Sequence, residues 1–397
     1  MLIRNTHPDH SSSLDQRDAE TLSSAGADAV ERFLSGRPEH APTPLLGLPG
    51  LARQLGLGEI LVKDEGRRLG LGSFKALGGA YAVIRLALAE AERVLGRPFD
   101  FGDLEAPDLR AVTAGLTFGC ATDGNHGRSV AGGAGLVGAR SAIFVHGGVS
   151  DDRVAAIARY GAQMIRVAGT YDESVVEATR VCADRGWIVV SDTSWPGYER
   201  IPGLVMQGYT AIAREALRQM PEPPTHVFIQ AGVGGIAAAL AGHLAIFLGD
   251  RRPILTVVEP ARAACIFETA RAGHPVVVPH AEPTVMAMLE CYEPSRVAWR
   301  ILSRAADAFM TVAEEDAVAA MNRLARPLPG DPAIVAGESG CAGFAGLVRA
   351  VADQSSRDVI GLGLNSRVLV INTEGATDPG LYRRLTGLEP AEVARAA

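Results

Sequence analysis

A single lysine, Lys75, stands in a segment that combines small residues with one aromatic residue. The segment reads Gly72-Ser73-Phe74-Lys75-Ala76-Leu77-Gly78-Gly79 and follows the apolar run Ile60-Leu61-Val62. Ser73 could cap a helix that begins just after it, which would place the lysine amine at the start of that helix. Such an amine can form an imine with a carbonyl group, including the aldehyde of a cofactor such as pyridoxal phosphate. A solvated surface charge is the competing interpretation.

A glycine-rich loop at residues 232 to 235 has the properties of a phosphate-binding turn. The loop, Gly232-Val233-Gly234-Gly235, follows an apolar strand and precedes a helix predicted to begin at Ile236. Glycines permit positive φ angles, so backbone N–H groups can converge there, and a helix N-terminus favours negative charge. The loop lacks the Lys-Ser/Thr ending of a nucleotide P-loop, and it comes later in the chain than a dinucleotide-binding fingerprint usually does. A turn that serves only tight strand–helix packing is the alternative.

A second turn, Thr122-Asp123-Gly124-Asn125-His126-Gly127, carries polar side chains. The amide of Asn125 could donate to a phenolate oxygen, which is the group next to the imine in pyridoxal phosphate. Asp123 could cap the following helix, or it could accept a proton above a bound cofactor. His126 could be catalytic, but a structural or exposed histidine is the favoured interpretation at a helix start.

Strands and helices alternate around these segments, which predicts an α/β protein with parallel strands and right-handed crossovers. Predicted strands are 60–63, 116–120, 141–145, 164–167, 187–190, 226–230, 254–258 and 368–371; predicted helices start at 127 or cover 151–160, 172–185, 205–219 and 236–248. Residues 81–190 alternate as a self-contained unit. They are interpreted as a small domain inserted into a larger one, which would comprise 1–80 and 191–397.

The composition argues against several classes of protein. The chain has 397 residues and a formal net charge of −7, which suits a two-domain enzyme and argues against a nucleic-acid partner. The N-terminus has no signal-peptide core, and the apolar run 236–248 is too short to span a membrane, so a soluble cytoplasmic protein is expected. The five cysteines lack metal-ligand spacing, so no metal site is predicted, and whether Cys265 and Cys291 meet is left open.

Together these segments resemble the fold type II pyridoxal phosphate enzymes, the tryptophan synthase β group that includes threonine and serine dehydratases. The resemblance covers about residues 40 to 380, and it includes Thr43-Pro44-Leu45 as well as the lysine segment and the two turns. Within this group the chain is most similar to the diaminopropionate ammonia-lyases. Further segments carry that narrower similarity: Leu77-Gly78-Gly79-Ala80-Tyr81-Ala82, Asp192-Thr193-Ser194-Trp195, Gly197-Tyr198, Ile201-Pro202, Met206-Gln207-Gly208-Tyr209, Gly337-Glu338-Ser339-Gly340 and Thr373-Glu374-Gly375.

The resemblance implies two open parallel-sheet α/β domains with pyridoxal 5'-phosphate in the cleft between them. Lys75 would bind the cofactor covalently, Phe74 would pack against its pyridine ring, and Asn125 would contact its phenolic oxygen. Thr373 would meet the pyridine nitrogen with a neutral hydroxyl group. The phosphate would be held by Gly232, Val233, Gly234, Gly235 and the backbone amide of Ile236.

The resemblance also implies a reaction, the α,β-elimination of D- or L-2,3-diaminopropionate to pyruvate and two ammonia. Asp123, where dehydratases usually have serine, and Asp192 would face the substrate and attract its second ammonium group. Lys75 would take the Cα proton of the L isomer, and Asp123 that of the D isomer. A homodimer is usual in such enzymes.

Other functions remain open at this stage. Ser73 stands where the ammonia-lyases more often have alanine and is typical of dehydratases, so an L-serine or L-threonine dehydratase is the main alternative. A non-catalytic pyridoxal phosphate-binding protein is disfavoured because Lys75 and both acids are present. A dinucleotide-dependent dehydrogenase is disfavoured by the late position of the glycine loop.

Overall fold

The computed structural model describes residues 1–122, 124–169, 171–280 and 282–395. The strands are β1 (Leu2–Arg4), β2 (Leu45–Gly47), β3 (Glu59–Asp64), β4 (Thr117–Ala121), β5 (Arg140–His146), β6 (Gln163–Val167), β7 (Ile188–Val189), β8 (His226–Gln230), β9 (Ile254–Pro260), β10 (Ala308–Val312) and β11 (Arg367–Asn372). The helices are α1 (Gln16–Thr21), α2 (Ser24–Ser35), α3 (Pro49–Leu55), α4 (Lys75–Leu95), α5 (Pro107–Thr113), α6 (Asn125–Leu136), α7 (Asp151–Ala158), α8 (Tyr171–Arg185), α9 (Arg200–Gln219), α10 (Gly235–Leu248), α11 (Cys265–Ala272), α12 (Arg296–Ala305), α13 (Glu314–Ala325), α14 (Ala342–Ala352), α15 (Gln354–Ile360), α16 (Pro379–Thr386) and α17 (Pro390–Arg395).

The chain forms two compact units, and the first comprises residues 1–26, 41–74 and 210–397. Its seven-stranded sheet has the order β1-β10-β9-β8-β11-β3-β2. The five inner strands run parallel, whereas β1 and β2 are antiparallel to their neighbours at the two edges. Because β8, β11 and β3 are parallel neighbours, the segments that follow them leave the sheet at the same edge, where ligands bind in open α/β sheets.

The inner strands of this unit are continuous apolar runs rather than alternating ones. In β8 the side chains of Val227, Phe228 and Ile229 are all inaccessible to solvent. Parallel strands have this character because helices cover both faces of the sheet. Packing on two sides therefore holds the strand ends, and the loops that leave them, in fixed positions.

The second unit comprises residues 27–40 and 75–209 and contains a four-stranded sheet in the order β6-β5-β4-β7. All its pairings are parallel, as the alternation of strands and helices predicts. The α/β fold class with parallel sheets is thus confirmed. The small domain predicted from the sequence spans 81–190, so the compact unit is wider at both of those boundaries and adds residues 27–40.

Helices α4 and α6 of the second unit pack closely because small residues line their contact. A Cβ atom on Gly79 would lie 2.8 Å from Ser129 Oγ, and one on Gly133 would lie 2.7 Å from the Cα atom of Ala80. The Ser129 hydroxyl also accepts the backbone N–H of Ala80 at 2.9 Å. This contact fixes the relative positions of the two helix starts, which are the residues Lys75 and Asn125.

Three strands of the first unit, β1, β2 and β10, were not predicted from the sequence. The N-terminal segment, interpreted as a polar lead, contributes β1, which pairs with the equally unpredicted β10. Leu2, for example, lies opposite Met310. A three-residue edge strand is stabilised mainly by hydrogen bonds to a strand that is distant in the sequence, so the local periodicity does not indicate that it is a strand.

Among the described residues, no helix has the length and apolar character needed to cross a membrane.

Candidate active site

Lys75 is the first residue of α4, and its side chain is 23% exposed. Its Nζ atom donates a hydrogen bond to the carboxylate of Asp192, which follows β7 in the same unit. Burial alone would raise the pKa of the Asp192 carboxyl. The positive charge of Lys75 and the hydrogen bond from it outweigh this effect, and the pKa lies well below its usual range. The pair thus holds an ionised acid beside an accessible amine.

Lys63, the only other lysine, has very different surroundings. Its side chain is completely buried, and Nζ donates to Thr43 O at 2.6 Å, to Glu215 Oε2 at 2.7 Å and to Gln219 Oε1 at 2.9 Å. All three N–H bonds of an ammonium group are therefore satisfied inside the first unit. Of the two lysines, only Lys75 has an amine placed to react with a ligand.

The loop that carries Asp192 is held by Tyr198, a residue for which no individual role was predicted. The Tyr198 hydroxyl donates to Val189 O and accepts the backbone N–H of Ser191, both at 2.9 Å. Its ring stacks on Trp195 with 4.1 Å between the ring centroids. One side chain thus bridges the end of β7 and the start of the loop, which positions the carboxylate next to Lys75.

Asn125 is the first residue of α6 and is buried, with 7% of its surface exposed. The hydroxyl of Thr122 accepts the backbone N–H groups of Gly124 at 3.0 Å and Gly127 at 3.2 Å, which shapes the turn before the helix. Asp123, the predicted proton acceptor of this turn, lies outside the described residues.

His126 occupies a structural position. Its ring is buried, and Nε2 lies 2.8 Å from the backbone oxygen of Val190 in a hydrogen bond. Burial lowers the pKa of the imidazole, which therefore prefers the neutral form and donates to the carbonyl. The side chain ties the start of α6 to the strand region that precedes Asp192.

The glycine loop links β8 to α10 in the first unit, and it presents a set of unused backbone donors. Gly234 precedes the helix with a φ of 98°, in the left-handed region that favours glycine. Within the described part of the chain, no acceptor is found for the backbone N–H groups of residues 232 to 237. These donors stand at the positive end of a 14-residue helix, so the loop fits a phosphate group.

The structure also shows what lies behind the loop. A Cβ atom on Gly234 would lie 3.0 Å from the Cβ atom of Ala298 and 3.1 Å from Cδ1 of Ile266. The carbonyl of Val233 accepts the N–H of Ser295 at 2.9 Å. Close packing and free donors therefore occur in the same turn, so the packing interpretation and the phosphate interpretation are both compatible with it.

Thr373 and Phe74 are adjacent in the first unit although they are far apart in sequence. Thr373 follows β11, and its backbone oxygen accepts the N–H of Phe74 at 2.9 Å. The Thr373 hydroxyl accepts a hydrogen bond from Gln230 Nε2 at 2.7 Å. Gln230, the last residue of β8, was predicted only as a strand end, and nothing in its local sequence signals this contact.

The sequence predicts no metal site and leaves open whether Cys265 and Cys291 meet. Within the described residues, no group of three or more His, Cys, Asp or Glu side chains is arranged to hold a metal ion. Cys265 and Cys291 are both in the thiol form, so no disulfide joins them. Burial strongly raises the pKa of the Cys265 thiol, which keeps it protonated.

The chain is similar to known proteins over most of its length. The family model described as pyridoxal-phosphate dependent enzyme matches residues 37–374. Diaminopropionate ammonia-lyase of Escherichia coli K12 is 38% identical over 371 residues, which are 92% of this chain and 92% of that protein. The biosynthetic L-threonine dehydratase of Salmonella typhimurium LT2 is 28% identical over 320 residues, 79% of this chain and 54% of that protein. A solved structure of the E. coli ammonia-lyase with an aminoacrylate-PLP azomethine reaction intermediate gives a TM-score of 0.86 at 35% identity, covering 97% of this chain and 96% of that chain.

Proposed function

Because this chain belongs to the family of pyridoxal-phosphate dependent enzymes, we propose that it is a diaminopropionate ammonia-lyase. The substrate is 2,3-diaminopropionate, and the products are pyruvate and two molecules of ammonia. The contact between the Lys75 amine and the Asp192 carboxylate carries the proposal, because it supplies an acidic group for a substrate with a second ammonium group. The similarity to the E. coli enzyme over 92% of both chains supports the same substrate.

In the first unit, the residues after β8 and β11 would hold the cofactor. Gly232, Val233, Gly234, Gly235 and the amide of Ile236 would bind the phosphate through the N–H groups that lack acceptors among the described residues. The Thr373 hydroxyl would meet the pyridine nitrogen, and Phe74, whose N–H is bound to Thr373 O, would pack on the ring. These roles use backbone N–H and a neutral hydroxyl, which suit a phosphate and an uncharged ring nitrogen.

In the second unit, Lys75 would carry the cofactor covalently and Asn125 would contact its phenolic oxygen. When bound, pyridoxal phosphate withdraws electrons from the amino-acid Cα and so acidifies the Cα proton. The Lys75 amine, once released, would accept that proton from the L isomer at Nζ. Asp192 would keep the amine in place through the hydrogen bond that joins the two side chains.

Two acids would distinguish this substrate from a hydroxy amino acid. Asp192 stays ionised at neutral pH because Lys75 lowers the pKa of its carboxyl despite burial. An ionised carboxylate attracts a β-ammonium group more strongly than a β-hydroxyl group. Asp123 would add a second negative charge and would accept the Cα proton of the D isomer on the face opposite Lys75.

The number of ammonia molecules released per pyruvate tests this function. Purified holoenzyme is incubated with D- and L-2,3-diaminopropionate, L-serine and L-threonine, while ammonia and keto acid are measured together. We expect two ammonia per pyruvate from diaminopropionate and slow or absent turnover of the hydroxy amino acids. Turnover of L-serine or L-threonine at one ammonia per keto acid, without activity on diaminopropionate, would establish the dehydratase instead. Lys75→Ala is the control that should be inactive on every substrate.

Two broader properties belong to the same proposal. We expect the enzyme to be a homodimer that works in the cytoplasm and degrades its amino-acid substrate. The support is the resemblance to the fold type II enzymes that the sequence shows.

A further inference from the structure

The carboxamide of Gln230 is buried, with 1% of the residue exposed, and it is surrounded by hydrogen-bond acceptors. Its Nε2 atom lies 2.6 Å from Gly340 O and 2.7 Å from Thr373 Oγ1, and the oxygens of Ser339 and Ile371 follow at 3.2 Å each. Because backbone carbonyls only accept, the NH2 side of the amide must face them. The two closest acceptors, Gly340 O and Thr373 Oγ1, account for its two hydrogens.

The hydroxyl group of Thr373 is left with one unused hydrogen. Oγ1 accepts from Gln230, and within the described residues it makes no second hydrogen bond. Thr373 is itself only 3% exposed, so water cannot freely take the place of an acceptor. A buried hydroxyl whose oxygen is already bound by an amide N–H therefore needs an acceptor from outside the described protein atoms.

Gln230 stands where the candidate cofactor-binding segments of the first unit come together. It is the last residue of β8, directly before the glycine loop, and it joins β8 to the turn that contains Ser339 and Gly340. Gly343 makes room for the amide, because a Cβ atom there would lie 2.7 Å from Gln230 Oε1. The side chain is thus fixed from three directions and cannot turn away from Thr373.

We propose that Gln230 is a positioning residue, which holds the Thr373 hydroxyl as a hydrogen-bond donor toward the ring nitrogen of pyridoxal phosphate. The inference rests on the role of Thr373 in the proposed function. A protonated ring nitrogen would need Oγ1 as its acceptor, and the hydroxyl hydrogen would then be buried without a partner. An unprotonated ring nitrogen accepts that hydrogen, so the Gln230 amide selects the neutral ring through the orientation of a single hydroxyl group.

The ring nitrogen itself provides the test, through the 15N chemical shift of holoenzyme loaded with ring-15N pyridoxal phosphate. Wild-type protein should show an unprotonated, hydrogen-bonded nitrogen whose shift does not change between pH 6 and pH 9. Gln230→Met, which keeps the size but removes the N–H donors, should move the shift in the same direction as Thr373→Val. The double variant should move it no further than Thr373→Val alone. Cofactor affinity should fall about three- to tenfold in each single variant.

Gln219→Met is the control, because the Gln219 amide also donates an N–H, to Thr43 O at 2.9 Å, but from a residue that is exposed rather than buried. It should leave the 15N shift at the wild-type value. A shift in Gln230→Met equal to wild type, or additive effects in the double variant, would overturn the inference. If Gln230→Met does not fold, a wild-type nitrogen that is protonated or titrates in this pH range overturns it as well.

These outcomes are independent of the substrate. An unchanged shift in Gln230→Met together with two ammonia per pyruvate would remove the positioning role and keep the proposed function. The expected 15N shifts without release of ammonia from diaminopropionate would keep the positioning role of Gln230 and remove the proposed function.

Discussion

At the scale of single residues, the two lysines of the chain show how surroundings assign a role. Lys63 gives all three of its N–H bonds to protein acceptors, whereas Lys75 has a partly exposed side chain and donates to the Asp192 carboxylate. Borohydride reduction of the holoenzyme followed by peptide mapping should therefore find the pyridoxyl group on Lys75. A label on Lys63 would refute this, and Lys75→Arg should carry no label at all.

The pair of Lys75 and Asp192 should make stability depend on pH. The folded-state pKa of Asp192 lies below that of the unfolded chain, so its contribution is complete above about pH 5 and decreases as the pH falls through about 4, where the unfolded chain takes up the proton. In apoprotein, Asp192→Asn should therefore cost about 2 kcal/mol of unfolding free energy at pH 7 and about 0.7 kcal/mol less at pH 3.5, because the unfolded chain is then mostly protonated at this position.

Urea unfolding at both pH values measures this difference. Asp250→Asn serves as the control, because Asp250 is exposed and its replacement should have little effect at either pH. An Asp192→Asn cost that is the same at pH 7 and pH 3.5 would show that the ion pair does not stabilise the apoprotein.

Asp123 should decide which isomer is processed, because its carboxylate replaces the serine usual in the dehydratases. Asp123→Asn preserves the shape but removes both the charge and the basicity. Loss of a general base typically lowers a rate by about two to four orders of magnitude, so turnover of D-diaminopropionate should nearly vanish. The L isomer should be affected less, since Lys75 is proposed to accept its Cα proton. Equal and small losses in steady-state rates on both isomers would make Asp123 a structural cap.

At the scale of elements, substitutions at the two ends of α10 can distinguish an effect of backbone strain from an effect on cofactor binding. Gly234 before the helix and Gly249 after it both have positive φ angles, 98° and 56°. A Cβ atom on Gly249 meets nothing within 4 Å, whereas one on Gly234 meets Ala298 and Ile266 at 3.0 Å and 3.1 Å. Alanine at either position should lower the melting temperature, because both positions strain an L-residue.

Only Gly234→Ala should weaken the binding of pyridoxal phosphate, by about tenfold or more, because it displaces the N–H groups of the loop. Titration of apoprotein with the cofactor, followed by absorbance, compares the two variants. Equal cofactor affinities would leave the loop with a packing role alone.

At the scale of the whole molecule, the proposed homodimer is open to direct measurement. Size-exclusion chromatography with light scattering should give twice the chain mass of 41.6 kDa for the holoenzyme. The mass should stay constant over a hundredfold dilution, since stable homodimers bury large apolar interfaces. A mass of one chain at micromolar concentration would contradict the proposal.

Features that depend on residues close together in the chain were predictable from the sequence alone. The apolar runs and turns predicted eight strands that the structure contains, among them β3, β8 and β11, because period and turn chemistry are local. It also singled out Lys75 and the glycine loop, since an amine at a helix start and a strand–glycine–helix turn are visible in a few consecutive letters. The resemblance to a family then supplied the cofactor and the reaction.

Which side chains contact one another depends on the three-dimensional fold. Lys75 and Asp192 are 117 positions apart, and Gln230 and Thr373 are 143 apart. Such contacts depend on which strands are neighbours in a sheet, on their register and on how helices pack, none of which a local pattern encodes. The same holds for β1 and β10, which stabilise one another across most of the chain. Burial of Lys63 and exposure of Lys75 also follow from packing, and this difference separates the structural lysine from the one proposed to react.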